Sequence, residues 1–175
     1  MRAQADASRQ WFAVFTTPRH EKCVAAYFEQ RQLEGFLPTY QAVHRWRNGQ
    51  NAHVALPLFP GYLFVRIDRC ERIRVLEVPG VLAILGTRRE MTALSEAEIE
   101  WLRSGVRQQN LEPHPYLVAG ERVRIRTGAM EGLEGILVRR SNGMRVVLTL
   151  ELIRQSVAVE LSADDIELAE QRASA

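Results

Sequence analysis

Lysine is almost missing from this chain: Lys22 is the only one among 23 basic residues, and the rest are Arg. The planar Arg fork suits phosphate, carboxylate and aromatic faces, which points toward charged polymers, although a GC-rich genome produces the same bias. Cysteine is scarce too. Cys23 and Cys70 form no disulfide framework, and their number fits a reducing cytoplasm. No apolar run approaches the roughly 20 residues of a membrane span, and the opening "MRAQADASRQ" lacks the apolar core of a secretory signal. Two cysteines and four scattered histidines offer no paired ligand spacing, so no metal is expected. The chain also has no phosphate-binding glycine loop and no dinucleotide fingerprint, so no cofactor is expected. His20 and Cys23 stand three apart, on one side of a helix, but no motif supplies the third group a nucleophile needs. A protein without catalysis of its own is the expectation.

Aromatic residues are unevenly spread. Every Phe, Trp and Tyr lies at or before Tyr116, and the last third has none. Residues 1–107 carry 15 basic and 11 acidic side chains, whereas residues 118–175 carry 8 and 9. Between them "QQNLEPHPYL" is polar and holds Pro113 and Pro115, the texture of a linker. Two domains are therefore expected, 9–107 and 118–169, joined by a linker over 108–117. At 175 residues, with a quarter of them charged, the chain has a globular composition.

The first part alternates between strand and helix signals. "WFAVFTT" reads as a strand. In "RHEKCVAAYFEQRQ", Cys23, Tyr27 and Gln30 recur at helical spacing with Val24, Phe28 and Arg31 alongside, and Gly35 is expected to end that helix. "FLPTYQAVHRWR" and "HVALPLFPGYLFVRI" read as strands around Asn48-Gly49, a favoured hairpin pair. "CERIRVLEV" is a short helix and "VLAILG" a fourth strand. Ser95 with Glu98 makes a capping box for a last helix. The order βαββαβ is that of a ferredoxin-like sheet, which would pair the first strand with the "YLFVRI" strand. The second part, from "ERVRIRT" through "GAMEGLEGILVRR" and Asn142-Gly143 to "SVAVEL", reads as five short strands of a small β-barrel. The fold class is α+β.

"PLFPGYLFVRI" raises a functional question. Alternation puts Leu63, Val65 and Ile67 on one face and Tyr62, Phe64 and Arg66 on the other, while Trp11, Ala13 and Phe15 share a face of the first strand. If the registers agree, Phe15, Tyr62 and Phe64 cluster beside Phe59. Two readings stay open: ordinary core, or a half-covered aromatic groove that takes a partner's helix. Arg19, His20 and Lys22, at the start of the first helix, are either a solvated face or an approach to nucleic-acid phosphate. Arg72 and Arg74 carry the same pair of readings.

These stretches resemble the NusG family of transcription elongation factors. The Trp-aromatic strand with its basic helix, "LFPGYLFVRI" and "VPGVLAILG" are similar to its N-terminal domain. "GERVRIRTGAMEGLEGIL" is similar to the KOW motif, an SH3-like five-stranded barrel that follows that domain. The texture of "TTPRHEKCVAAYFEQRQLEGFLP" is closer to specialised members such as RfaH and the factors encoded with capsule operons. The resemblance implies a cytoplasmic monomer that binds the clamp helices of RNA polymerase, suppresses pausing and serves particular operons. The polymerase pocket it implies falls on Phe15, Phe59, Pro60, Tyr62 and Phe64, with Trp11 nearby. Non-template DNA would meet Arg19, His20, Lys22, Arg72 and Arg74. Rho or a small-subunit ribosomal protein would meet the loop of Gly128, Met130, Gly132 and Gly135. Met130 replaces an aromatic frequent in the family, which weakens the last expectation. Strand-forming "VVLTLELI" and "SVAVEL" favour a barrel that stays β rather than one that switches to helix. The rival expectation is a ribosome- or RNA-binding module that works through its KOW domain.

Overall fold

The computed structural model describes residues 8–45, 51–87, 90–108, 111–114, 120–128, 130–140, 143–150 and 152–169. The chain divides into two compact units, Met1–Arg103 and Ser104–Ala175.

The first unit holds strands β1 (Gln10–Thr16), β2 (Glu34–Phe36), β3 (Thr39–Arg45), β4 (Asn51–Pro57), β5 (Tyr62–Ile67), β6 (Val81–Ile84) and β7 (Ala93–Leu94). Helices α1 (Glu21–Gln30) and α2 (Arg72–Leu76) lie between them, and α3 (Glu96–Gln108) follows, its residues from Ser104 onward belonging to the second unit. The main sheet runs β2-β5-β1-β6, with every neighbouring pair antiparallel, and β7 adds to β1. Without β3 and β4 this is the ferredoxin-like order expected from the sequence. The register also agrees: Ala13 faces Phe64, Phe15 faces Tyr62 and Val14 faces Leu63.

One sheet face is a closed apolar core. Phe12 and Val14 of β1 and Leu63, Val65 and Ile67 of β5 pack with Val24 and Phe28 of α1 and Val75 of α2. In α1 the buried stripe is Val24 and Phe28, whereas Cys23, Tyr27 and Gln30 are exposed.

Three expectations change. The helix ends at Gln30, and the chain reverses at Gln32, with φ 55°. Gly35 lies in β2, where an added Cβ would come 2.9 Å from the Phe28 ring, so its role is close packing and not helix termination. The sheet's second strand is therefore β2. "FLPTYQAVHRWR" instead supplies β3, which among the described residues pairs only with β4, in a separate two-stranded sheet. The Asn48-Gly49 turn lies outside the described residues. "HVALPLFPGYLFVRI" is two strands, because Pro60 and Gly61 turn the chain between them. Gly61 has φ 83°, a value that favours glycine, and Tyr62 N–H donates to Phe59 O at 3.0 Å. The Ser95–Glu98 capping box forms as expected: Glu98 N–H donates to Ser95 Oγ and Ser95 N–H to Glu98 Oε2.

In the second unit β8 (Leu111–His114), β9 (Glu121–Ile125), β10 (Glu134–Arg140), β11 (Gly143–Leu150), β12 (Gln155–Leu161) and β13 (Ile166–Leu168) form one antiparallel sheet. Its order is β13-β9-β10-β11-β12-β8. Asn142 lies outside the described residues. The sheet has one strand more than the five expected, because part of the expected 108–117 linker is β8. Leu111 is buried, and Glu112 bonds Arg145 of β11 at 2.6 Å. Arg145 also holds Glu160, and both carboxylates push its guanidinium pKa up, Glu160 the more strongly. Pro113 is tolerated because β8 is an edge strand.

Candidate functional site

On the other face of β1 and β5, the expected aromatic cluster forms. Phe15 and Tyr62 lie with ring centroids 5.2 Å apart, and Phe59 meets Phe64 edge-on at 6.1 Å. Phe36 of β2, which alternation along the first strand and "YLFVRI" could not supply, stacks on Phe64 at 6.2 Å. The start of α3 lies over one end. Arg103 sits 4.8 Å above the Trp11 ring and 5.5 Å from Phe36, and it bonds Glu34 at 3.5 Å. Arg66 lies between Glu34 and Glu96, 3.7 and 3.9 Å away.

Burial divides this cluster in two. Trp11, Phe59 and Phe64 are fully buried, with Phe36 stacked on Phe64 and Arg103 of α3 over Trp11. Phe15 and Tyr62 remain partly exposed, and Pro60 is exposed. The aromatic surface that this face offers is therefore its margin at the Pro60–Gly61 turn.

The turn adjoins the basic segment. A cleft of about 380 Å³ is lined by Arg19, Lys22, Tyr40, Leu56, Pro57 and Pro60, with Glu21 also reaching it. Arg19 and His20 are exposed just before α1, and Lys22 Nζ donates to Ala55 O of β4 at 2.7 Å. Glu21, unremarked in the sequence, is only 4% exposed, and its Oε1 accepts the Gly61 N–H at 2.7 Å. Arg72 is exposed, but Arg74 is committed elsewhere. Its guanidinium donates to Arg31 O at 3.0 Å and pairs with Glu71, while Arg31 donates back to Arg74 O at 3.4 Å and Glu77 O at 3.5 Å. Each Arg thereby satisfies carbonyls at the end of the other's helix.

In the second unit Gly128 and Gly132 have φ 85° and 83° in a tight turn with open space around them. Met130 is 5% exposed and Gly135 is buried, with an added Cβ falling 2.5 Å from Val146. These two therefore pack into the second unit, while Gly128 and Gly132 stay at its surface. Met130 turns inward because Gly105 of α3 leaves room for it: a Cβ at Gly105 would lie 2.9 Å from the Met130 methyl.

The architecture is that of a mixed α+β protein with a ferredoxin-like sheet and a sheet-rich C-terminal region. A family model described as "Transcription termination factor nusG" matches residues 9–103. The chain belongs to the NusG family. Among curated proteins it is similar to the transcription termination/antitermination protein NusG of Lactococcus lactis, 28% identical over 90% of this chain and 91% of that one. It is similar also to NusG of Rickettsia bellii, at 19% identity over 91% and 90%. Among solved structures it is similar to "Domain interaction in Thermotoga maritima NusG", with TM-score 0.62 and 18% identity, covering 94% of this chain and 99% of that one. The chain is thus a NusG-like transcription termination/antitermination factor, and the relatives it matches are transcription factors and not enzymes.

Proposed function

We propose that the chain binds RNA polymerase through the margin of its aromatic face, over the clamp helices, and suppresses pausing by holding polymerase in its processive form. Binding energy alone does this work, by shifting a population of polymerase states. The observation that carries the reading is the partly exposed Phe15–Tyr62 pair beside exposed Pro60, on the same sheet face as the fully buried rings of Phe59 and Phe64. Rings fixed from below and open on one side suit a partner's helix, because little side-chain freedom is lost on binding. Arg19 and His20, next to the cleft that reaches Pro60, are proposed to meet the non-template strand and give operon preference, with Arg72 as an outlying contact. The protein is proposed to act in the cytoplasm as a monomer. The test is pausing on one template with wild type and Tyr62→Ala at equal concentration. Shortened pauses with the wild type and unchanged pauses with a folded variant are expected. Equal activity of the two refutes the pocket.

The alternative of an RNA- or ribosome-binding module working through the second unit is disfavoured by its charges. Arg124 pairs with Glu134, Arg126 with Glu167, and Arg145 with Glu112 and Glu160, which leaves those cations neutralised within the chain.

A further inference from the structure

We propose that Glu21 is the positioning residue of the polymerase-facing margin: a single buried carboxylate oxygen, shared by two backbone amides, sets the Pro60–Gly61 turn and with it the partly exposed ring of Tyr62. The functional consequence rests on the polymerase-binding reading, whereas the positioning itself does not.

A glutamate is seldom fully buried, because removing its charge from water costs free energy unless strong donors replace the water. Glu21 is 4% exposed in the first turn of α1, where the helix dipole favours a negative charge. Its partners among the described residues are backbone amides. Oε1 accepts from Gly61 N–H at 2.7 Å, within the range of charge-assisted bonds, and more weakly from Arg19 N–H at 3.4 Å. Forty residues separate Glu21 from Gly61, so the bond fixes the turn to the helix rather than reinforcing local structure.

The Gly61 peptide units are held from three directions. Tyr62 N–H reaches back to Phe59 O, Gly61 O accepts Thr16 N–H at 2.9 Å, and Gly61 N–H goes to Glu21. Only the last bond comes from outside the sheet and the turn. Gly61 is buried, so without Glu21 its N–H must either lose its partner or rotate out toward water. Rotation cannot leave the rings in place. The Phe15 ring already lies 3.3 Å from where a Gly61 Cβ would stand, and Phe15 is the ring that supports Tyr62. The same oxygen also touches the segment bearing Arg19, whose φ is 67°. The basic segment and the aromatic margin are thus registered on one atom.

The test compares Glu21→Gln, which keeps an oxygen acceptor, with Glu21→Met, which has similar length and no acceptor. The full chain is labelled with fluorotyrosine, the Tyr62 resonance is assigned through Tyr62→Phe, and folding is checked by thermal unfolding. The ¹⁹F spectrum and a polymerase titration are then read together. In folded Glu21→Met the Tyr62 resonance shifts and polymerase binding weakens by about tenfold or more. Glu21→Gln stays near wild type in both. An unshifted Tyr62 resonance in folded Glu21→Met, or equal damage in the two variants, overturns the proposal. Should Glu21→Met fail to fold, Glu21→Asp keeps the charge but withdraws the acceptor, and it must shift Tyr62 for the proposal to survive. A shifted resonance together with a wild type that does not bind polymerase supports the positioning role and refutes the polymerase reading.

Discussion

The two faces of the first sheet are laid on the same strands by simple alternation, yet they reach different states. On the aliphatic face Phe12, Val14, Leu63, Val65 and Ile67 are all buried, under α1 and α2. The aromatic face is graded. Trp11 and Phe64 are as buried as any residue of the first face, while Phe15 and Tyr62 at the other end keep part of their surface in water. The difference lies in the cover. α3 reaches the Trp11 end, where Arg103 stacks on the indole and Arg66 meets Glu96, and the β4–β5 turn forms the boundary of what remains. The surface this face leaves open is thus a margin set by the domain's own packing. The rings below that margin give it rigidity.

Four changes probe this contrast, from the largest expected effect to the smallest. Phe64→Ala removes a ring that is core on the supposed binding face, and it should destabilise by about 3–5 kcal/mol in denaturant unfolding, as a deep aromatic truncation does. An effect nearer that of a surface residue would return the whole face to partner binding. Ser95→Ala removes the cap of the helix that covers the Trp11 end. It should cost about 0.5–2 kcal/mol and make Trp fluorescence more accessible to a quencher, by exposing Trp11. Tyr62→Ala, on the half-open margin, should cost less than about 1.5 kcal/mol while keeping cooperative unfolding. The smallest effect is a pH dependence at Asp68, just past the end of β5. Hydrogen bonds from Ser8 first, and then from the Cys70 backbone, lower the Asp68 pKa from 3.8 to about 2. A folded pKa below the unfolded one stabilises above the unfolded value, and the contribution is lost as pH falls from about 4 through about 2. Because Asp68 is solvent-screened, the expected change is slight. It should vanish in Asp68→Asn, compared by acid titration of thermal stability.

Alternation made much of this legible. It gave the split of β5 into two faces, and local spacing gave the capping box at Ser95, each of which depends only on neighbours a few residues away; the pairing of Phe15 with Tyr62 followed from the ferredoxin-like order once the registers agreed. What it could not give depends on contacts distant in sequence. Phe36 enters the cluster because β2, a three-residue strand hidden behind an expected helix stop, docks on β5. Arg103 and Glu21 look like ordinary surface charges until α3 folds back onto Trp11 and the turn closes on α1. The "LEPH" segment has the composition of a linker, and it is its pairing with β12, supported by the Glu112–Arg145 bond and the burial of Leu111, that makes it a strand. Alternation left the core and groove readings of the aromatic face both open for the same reason: periodicity names a face but not what covers it.

The most direct test of the central claim is an equilibrium titration of core RNA polymerase with the wild-type chain and with Tyr62→Ala, with unfolding curves confirming that both are folded. The account predicts saturable wild-type binding that weakens by about tenfold or more in the variant, as loss of a central aromatic contact does. Equal affinity of the two folded proteins would contradict it and leave the aromatic margin as an exposed edge of the core.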